Sequence, residues 1–276
     1  MLKATLYFVV KYKISIDIFL GAQKNQSVEV LLMTAKSYSY SKVGDRLQAK
    51  EIKDKLKSLI EQASSIDSNL AKKLDEINRW VKDIKPGSLT AKPLVLAFLL
   101  EVITDAKIWL IIQSLPSEAE KAAKFEQMTP NERYWYGYLF PKWINATDAK
   151  FYIWKQKLMA GEFNQEDDDI IKTIAQHIAS RNGNVWQRYI ADLSMATDLI
   201  VSNHQQQPLC IQITSVSEEL NRQKYQAWES TLRSWEIERG LFLSYNPQNA
   251  NFINQLVNVT LYNSDYLVDG KYLKFS

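Results

Sequence analysis

The side chains best equipped for chemistry cluster between Ala196 and Pro247. Asp198 precedes the β-rich run Leu199-Ile200-Val201-Ser202, and Gln212 and Thr214 sit two apart in the run Leu209–Ser215. That spacing places Gln212 and Thr214 on one face of a strand. Lys224 shares an i, i+4 row with Leu220, Trp228 and Leu232 and interrupts the apolar stripe of a helix. An amine at such a place must snorkel, pair with an acid or reach a neighbouring site. Other reaction types lack their residues. His177 and His204 are the only histidines and have no metal-ligand spacing. His177 adjoins the Ile170–Ile174–Ile178 face and reads as a core or a catalytic residue, whereas His204 falls in a turn and reads as solvated. Cys210, the single cysteine, alternates with Ile211 inside a strand and has no neighbouring base to activate it. No G-x-S-x-G, P-loop or dinucleotide fingerprint occurs.

These residues need a sheet and a helix to hold them. The runs 196–202 and 209–215, joined by Asn203–Pro208, read as a β-hairpin. The charged, periodic segment from Ser217 to Glu238 reads as a helix, and Gly240–Pro247 as a further strand. Upstream, the acids Glu166–Asp169 begin a helix that Asn182-Gly183-Asn184 ends, their charge favoured by the helix dipole. Val185–Leu193 alternates and reads as a strand. The order over 166–247 is therefore helix, three strands, helix, strand.

With Asp198 before one strand and Gln212-Ile213-Thr214 on the next, this order resembles the αβββαβ core of the PD-(D/E)XK nuclease superfamily, the restriction-endonuclease-like fold. In that family an Asp faces an acid-x-Lys triplet, and the acids hold Mg²⁺, for which Mn²⁺ can substitute. The resemblance implies that Asp198 is a metal ligand, that Gln212 stands for the triplet acid and that Thr214 stands for its Lys. A Gln oxygen binds Mg²⁺ as a neutral ligand, and Gln also occurs here in the transposon-end endonuclease branch. Thr cannot replace a cation, but the lysine migrates in this family, which makes Lys224 the displaced cation. Asp169, deepest in the first helix of the four acids, is the implied third carboxylate and metal ligand. The resemblance covers less than half of the chain.

The preceding half reads differently. Residues 5–33 suggest a small β-hairpin and 46–158 a series of helices. Between Arg46 and Ile84, apolar residues recur every three or four positions in a coiled-coil-like stripe. Asp67-Ser68 or Ser64-Ser65 can break it into an antiparallel helical hairpin, and the alternative is a homodimer through residues 46–84. Lys92–Leu115 is apolar all round, as a central buried helix is. Ser117 caps a helix over 118–128, and Thr129-Pro130-Asn131-Glu132 is a capping box with Pro in the first turn. Aromatics and bases then alternate from Arg133 to Lys157. Such a stretch either stacks unpaired nucleotides or packs helices under snorkelling Lys stems.

Composition bounds the rest. The chain has 276 residues, 46% hydrophobic and 24% charged, and a net charge of +3. Residues 163–276 hold 9 Lys/Arg against 13 Asp/Glu and residues 1–162 hold 25 against 18, so any attraction for nucleic acid belongs to the first half. The run Leu94–Leu100 is far short of the roughly 20 apolar residues of a membrane span, and one cysteine fits a reducing cytoplasm. The expectation is an α+β / α/β protein with a mostly helical domain over 1–160 and a nuclease-like domain over 163–276. Its expected function is Mg²⁺-dependent endonucleolytic cleavage of DNA by Asp198, Gln212, Thr214 and Lys224. The alternatives are an inactive nuclease-fold module for nucleic-acid binding or assembly, and a dimerising helical scaffold.

Overall fold

The computed structural model describes residues 49–84, 93–148, 150–160, 168–215, 218–246, 248 and 251–275. The hairpin expected over 5–33, the stop at Pro86-Gly87, the boundary at 161–164 and the acids Glu166 and Asp167 lie outside them.

Helices α1 (Ala49–Ile66) and α2 (Ser68–Asp83) are separated by Asp67 alone. The Asp67 carboxylate explains the break. Its Oδ1 accepts from Asn69 N and Leu70 N, both at 3.0 Å, capping α2, while Oδ2 accepts from Trp109 Nε1 at 2.7 Å. Of the ten stripe residues only Ile66 is exposed. Among the described residues the stripe is therefore spent inside the chain, as in the antiparallel helical hairpin and not in the alternative homodimer. Trp109 belongs to α3 (Pro93–Gln113), a helix that is apolar on every side. Next come α4 (Glu118–Glu126), capped by Ser117, and α5 (Pro130–Tyr134), which has the complete Thr129/Glu132 capping box. A π-helical turn (Trp135–Leu139) leads into α6 (Phe140–Asn145), and α7 (Phe151–Ala160) follows. Here the aromatic stretch is mainly core: Trp135, Tyr136, Phe140, Trp143, Phe151 and Trp154 are all buried. Tyr152, by contrast, is 64% exposed.

The second half builds a five-stranded sheet in the order β1-β2-β3-β4-β5. Helix α8 (Asp168–Ser180) precedes β1 (Asn184–Trp186). The strand expected over Val185–Leu193 ends at Trp186, and Tyr189–Met195 is a helix, α9. The reason is tertiary. Glu101 of α3 accepts from the Ile190 N–H, one of the first-turn donors that a helix cannot satisfy by itself. Buried residues at 190, 191, 193, 194 and 195 fit a short helix enclosed on most sides, and such a segment is easily mistaken for a strand. Left-handed Ala196 (φ 51°) ends it.

Strands β2 (Leu199–Ser202) and β3 (Leu209–Thr214) form the expected hairpin, antiparallel to each other, and β2 is antiparallel to β1. After α10 (Glu218–Ser234), strand β4 (Arg239–Ser244) lies parallel to β3. Beyond the expected elements, α11 (Phe252–Tyr266) leads to β5 (Lys271–Phe275), parallel to β4. Alternation along the strands sorts the layers. Leu209, Ile211, Ile213, Leu241 and Leu243 pack with Ile174 and Ile178 of α8 and with Leu256 and Val257 of α11. The intervening residues face α10, whose Trp228 packs against Phe242 with ring centroids 5.5 Å apart. Gly240 lets α10 approach this closely. A Cβ there would press into Leu232 and lie 2.8 Å from the Trp228 ring.

The helical and sheet portions belong to one compact unit, residues 46–276. Buried polar groups join them. Asn131 donates to the carbonyls of Asn184 (3.0 Å) and Ile200 (2.9 Å), and Trp235 Nε1 donates to Ser194 O at 2.9 Å. The protein is thus a mixed α+β structure. No helix among the described residues is long and apolar enough to cross a membrane.

Candidate functional site

The site is laid out by β3 and the helix that follows it. Gln212 and Thr214 project from the strand face opposite the Leu209/Ile211/Ile213 core, as their spacing requires. Asp198, 5% exposed, enters from the head of β2. Its backbone N–H donates to Ile211 O at 2.8 Å, which fixes its position in the ladder. Its Oδ2 accepts from Gln212 Nε2 at 2.7 Å and from Ile213 N at 2.6 Å. Lys224 extends from α10 and its Nζ donates to Thr214 Oγ1 at 2.8 Å. Asp198, Gln212, Thr214 and Lys224 therefore form a chain of neighbours, linked by hydrogen bonds at Asp198–Gln212 and at Thr214–Lys224. Lys224 stays exposed while its amine turns back to the strand.

Gln212, Thr214 and Lys224 line a cavity of about 290 Å³ together with Lys150, Thr231 and Phe242. Lys150 comes from the helical half. Its Nζ donates to Thr231 Oγ1 at 3.0 Å. Burial lowers the pKa of this amine, with Asp148 and Asp192 opposing the change. Asp148, 8% exposed, holds the segment in place: Oδ1 accepts from Lys150 N at 2.9 Å and Oδ2 from Ser194 Oγ at 2.5 Å. Asp192 on α9 is pushed up to about 7, chiefly by burial and also by Asp168, with Lys150 opposing.

The acids of α8 divide differently from the expectation. Asp168 is the inward one, paired with Lys172 and close enough to influence Asp192. Asp169, the implied third metal ligand, is exposed on a helix that packs against the other face of the sheet. The geometry does not bring it to Gln212. His177 and His204 are both exposed, so His177 is not the core residue its position suggested. Cys210 is buried, and burial raises its thiol to about 12, which keeps it protonated.

As a seat for Mg²⁺, this arrangement supplies two protein donors, the Asp198 carboxylate and the Gln212 amide oxygen. Mg²⁺ usually takes one or two carboxylates and completes its octahedron with water and phosphate oxygens. Asp198 fits that role in part, because one of its oxygens already accepts two hydrogen bonds. Among the described residues, no three His, Cys, Asp or Glu side chains are grouped to hold a metal ion. The donors that face the cavity most directly are amines and hydroxyls, and these suit an anion.

Sequence reasoning reached four members of the site and missed Thr231 and Asp192. Thr231 was within reach, since it lies seven residues after Lys224 and three after Trp228 on the same helix face. Lys150 was marked only as a base of the aromatic stretch 133–157, not as a neighbour of β3, and Asp192 fell in the segment that alternated like a strand. No protein-family model, curated protein or solved structure matches this chain.

Proposed function

We propose that the cavity beside β3 binds a phosphodiester of nucleic acid, in a domain of the restriction-endonuclease-like type. The observation that carries this reading is the meeting of two amines, Lys224 and Lys150, with Gln212 and Thr214 at a single cavity. Two ammonium groups from different elements supply point charges for phosphate oxygens, and the hydroxyls and amide add neutral hydrogen bonds. The domain type is supported by the antiparallel β1-β2-β3 meander and by α10, which crosses from β3 to a parallel β4. The position of Asp198 and Gln212 at the same strand pair supports it too.

Metal-assisted cleavage is the second reading, favoured by the approach of Lys224 to the triplet position. In that reading Asp198 and Gln212 hold the Mg²⁺, which would polarise the scissile phosphate and lower the pKa of a bound water. The backbone N–H of Ile213 fixes the carboxylate, Thr214 orients the Lys224 amine, and that amine faces the developing negative charge on phosphate.

Both readings are tested by incubating the full chain with single-stranded and plasmid DNA, with EDTA, Mg²⁺ or Mn²⁺. Binding is expected to weaken steeply with salt, and Lys224→Ala should reduce the salt slope by about 0.7–0.9. The binding reading is overturned if wild type and Lys224→Ala bind alike. Cleavage that needs metal and disappears in Asp198→Asn establishes the second reading. Asn retains an acceptor for Ile213 N, so loss of cleavage is not loss of the fold.

A further inference from the structure

Lys150 and Lys155 are five residues apart, roughly 7.5 Å along a helix axis. They open onto different spaces. Lys150 lines the cavity beside β3, whereas Lys155 and Asp148 line a larger cleft of about 700 Å³ against α2. The same short segment is thus a wall of both. On α2, the cleft presents Lys72, Lys73 and Arg79. Its acids are Asp83, Glu76, which lies 3.8 Å from Lys73, and Asp148, which accepts from Ser194 and Trp154, while Arg79 lies 3.2 Å from Asp75. On the same helix, Tyr152 holds its ring out to solvent at 64% exposure, and Lys155 Nζ lies 4.4 Å from the buried Phe151 ring and 6.0 Å from that of Tyr152. Every other ring of α7 is buried.

We infer that α7 guides a single nucleic-acid strand out of the β3 cavity and into the cleft against α2. In this arrangement Tyr152 stacks on an unpaired base, and Lys155, Lys72 and Arg79 follow the backbone. The inference rests on the phosphodiester-binding reading of the cavity. An exposed ring beside an amine is the arrangement that binds single strands without reading their sequence. A ring stacks in this way on a base freed from its pair. The cavity is also slightly below the roughly 300–1,000 Å³ of sites that enclose drug-sized ligands, so it admits about one nucleotide at a time.

Fluorescence anisotropy with a labelled 12-residue oligonucleotide, alone and annealed to its complement, tests this on the full chain. Wild type should prefer the single strand. Tyr152→Ala should weaken single-strand binding roughly five- to a hundred-fold, as expected for one lost stacking contact, and Tyr152→Phe should restore it. Lys155→Ala and Lys72→Ala should each lower the salt slope by about 0.7. Circular dichroism should show all four variants folded, because each alters a side chain at the surface or the cleft edge. If Tyr152→Ala and Lys155→Ala bind like wild type while Lys224→Ala is weakened, the strand runs elsewhere and the cavity reading stands. If wild type binds neither oligonucleotide, the cavity reading falls and the path falls with it.

Discussion

Two groups of charged side chains in this protein have opposite relations to water. At the seam between α3 and α9, Glu101, Asp105 and Arg188 are each at most 9% exposed. Arg188 lies 3.6 Å from Asp105 and 3.9 Å from Glu101, and its guanidinium stacks on Trp186 at 3.9 Å from the ring centroid. Asp105 also accepts from Tyr136 Oη at 2.7 Å and Trp135 Nε1 at 3.1 Å. In the cavity beside β3, by contrast, the Lys224 amine is answered by a neutral hydroxyl and the residue is exposed. Burial raises Glu101 to about 8 and Asp192 to about 7. A shifted pKa therefore does not separate the two regions. Access does. Buried charges that face one another join the two halves of the molecule, whereas the Lys224 amine stands at an open cavity.

The sharpest way to break this comparison is Arg188→Met. It leaves two buried carboxyls without a cation, and removing one partner of a buried pair costs about 3–5 kcal/mol. Urea denaturation should show the midpoint falling, by more at pH 8 than at pH 5, since at pH 5 Glu101 keeps its proton. An unchanged midpoint would mean that the seam does not hold the halves together.

Gly240→Ala comes next, at about 1–3 kcal/mol for overpacking. Its added methyl pushes Trp228 and Leu232 off the sheet, and α10 also carries Lys224. Binding of single-stranded DNA should weaken along with stability. Binding that stays intact while stability falls would show that the amine does not depend on how closely its helix is seated.

The third test is the pH dependence of stability. Glu101 keeps its proton up to about 8 in the folded chain but loses it near 4.5 once unfolded. Between those values the folded state binds more protons, so stability falls as pH rises. Glu101→Gln should flatten that slope, read as the difference in urea midpoint between pH 5 and pH 8. It should leave nucleic-acid binding unchanged, because Glu101 belongs to the seam.

Where the signal was local, the sequence was enough. The helix starts at Ser117 and Thr129 and the hairpin around Asn203–Pro208 follow from side chains acting on the backbone within a few residues, while the sequence left the α2 cap between Ser64-Ser65 and Asp67-Ser68. The shared face of Gln212 and Thr214 follows from the two-residue repeat of a strand, and the place of Lys224 from the helical repeat. Long-range contacts decided the rest. Tyr189–Met195 became a helix with its first turn met by Glu101, from a segment some 90 residues earlier. Lys150 joined the cavity because Asp148 and Thr231 hold its loop and its amine there. Periodicity records how a segment meets its own neighbours. Which distant side chain completes a cap, answers a charge or closes a cavity is settled only when the layers pack.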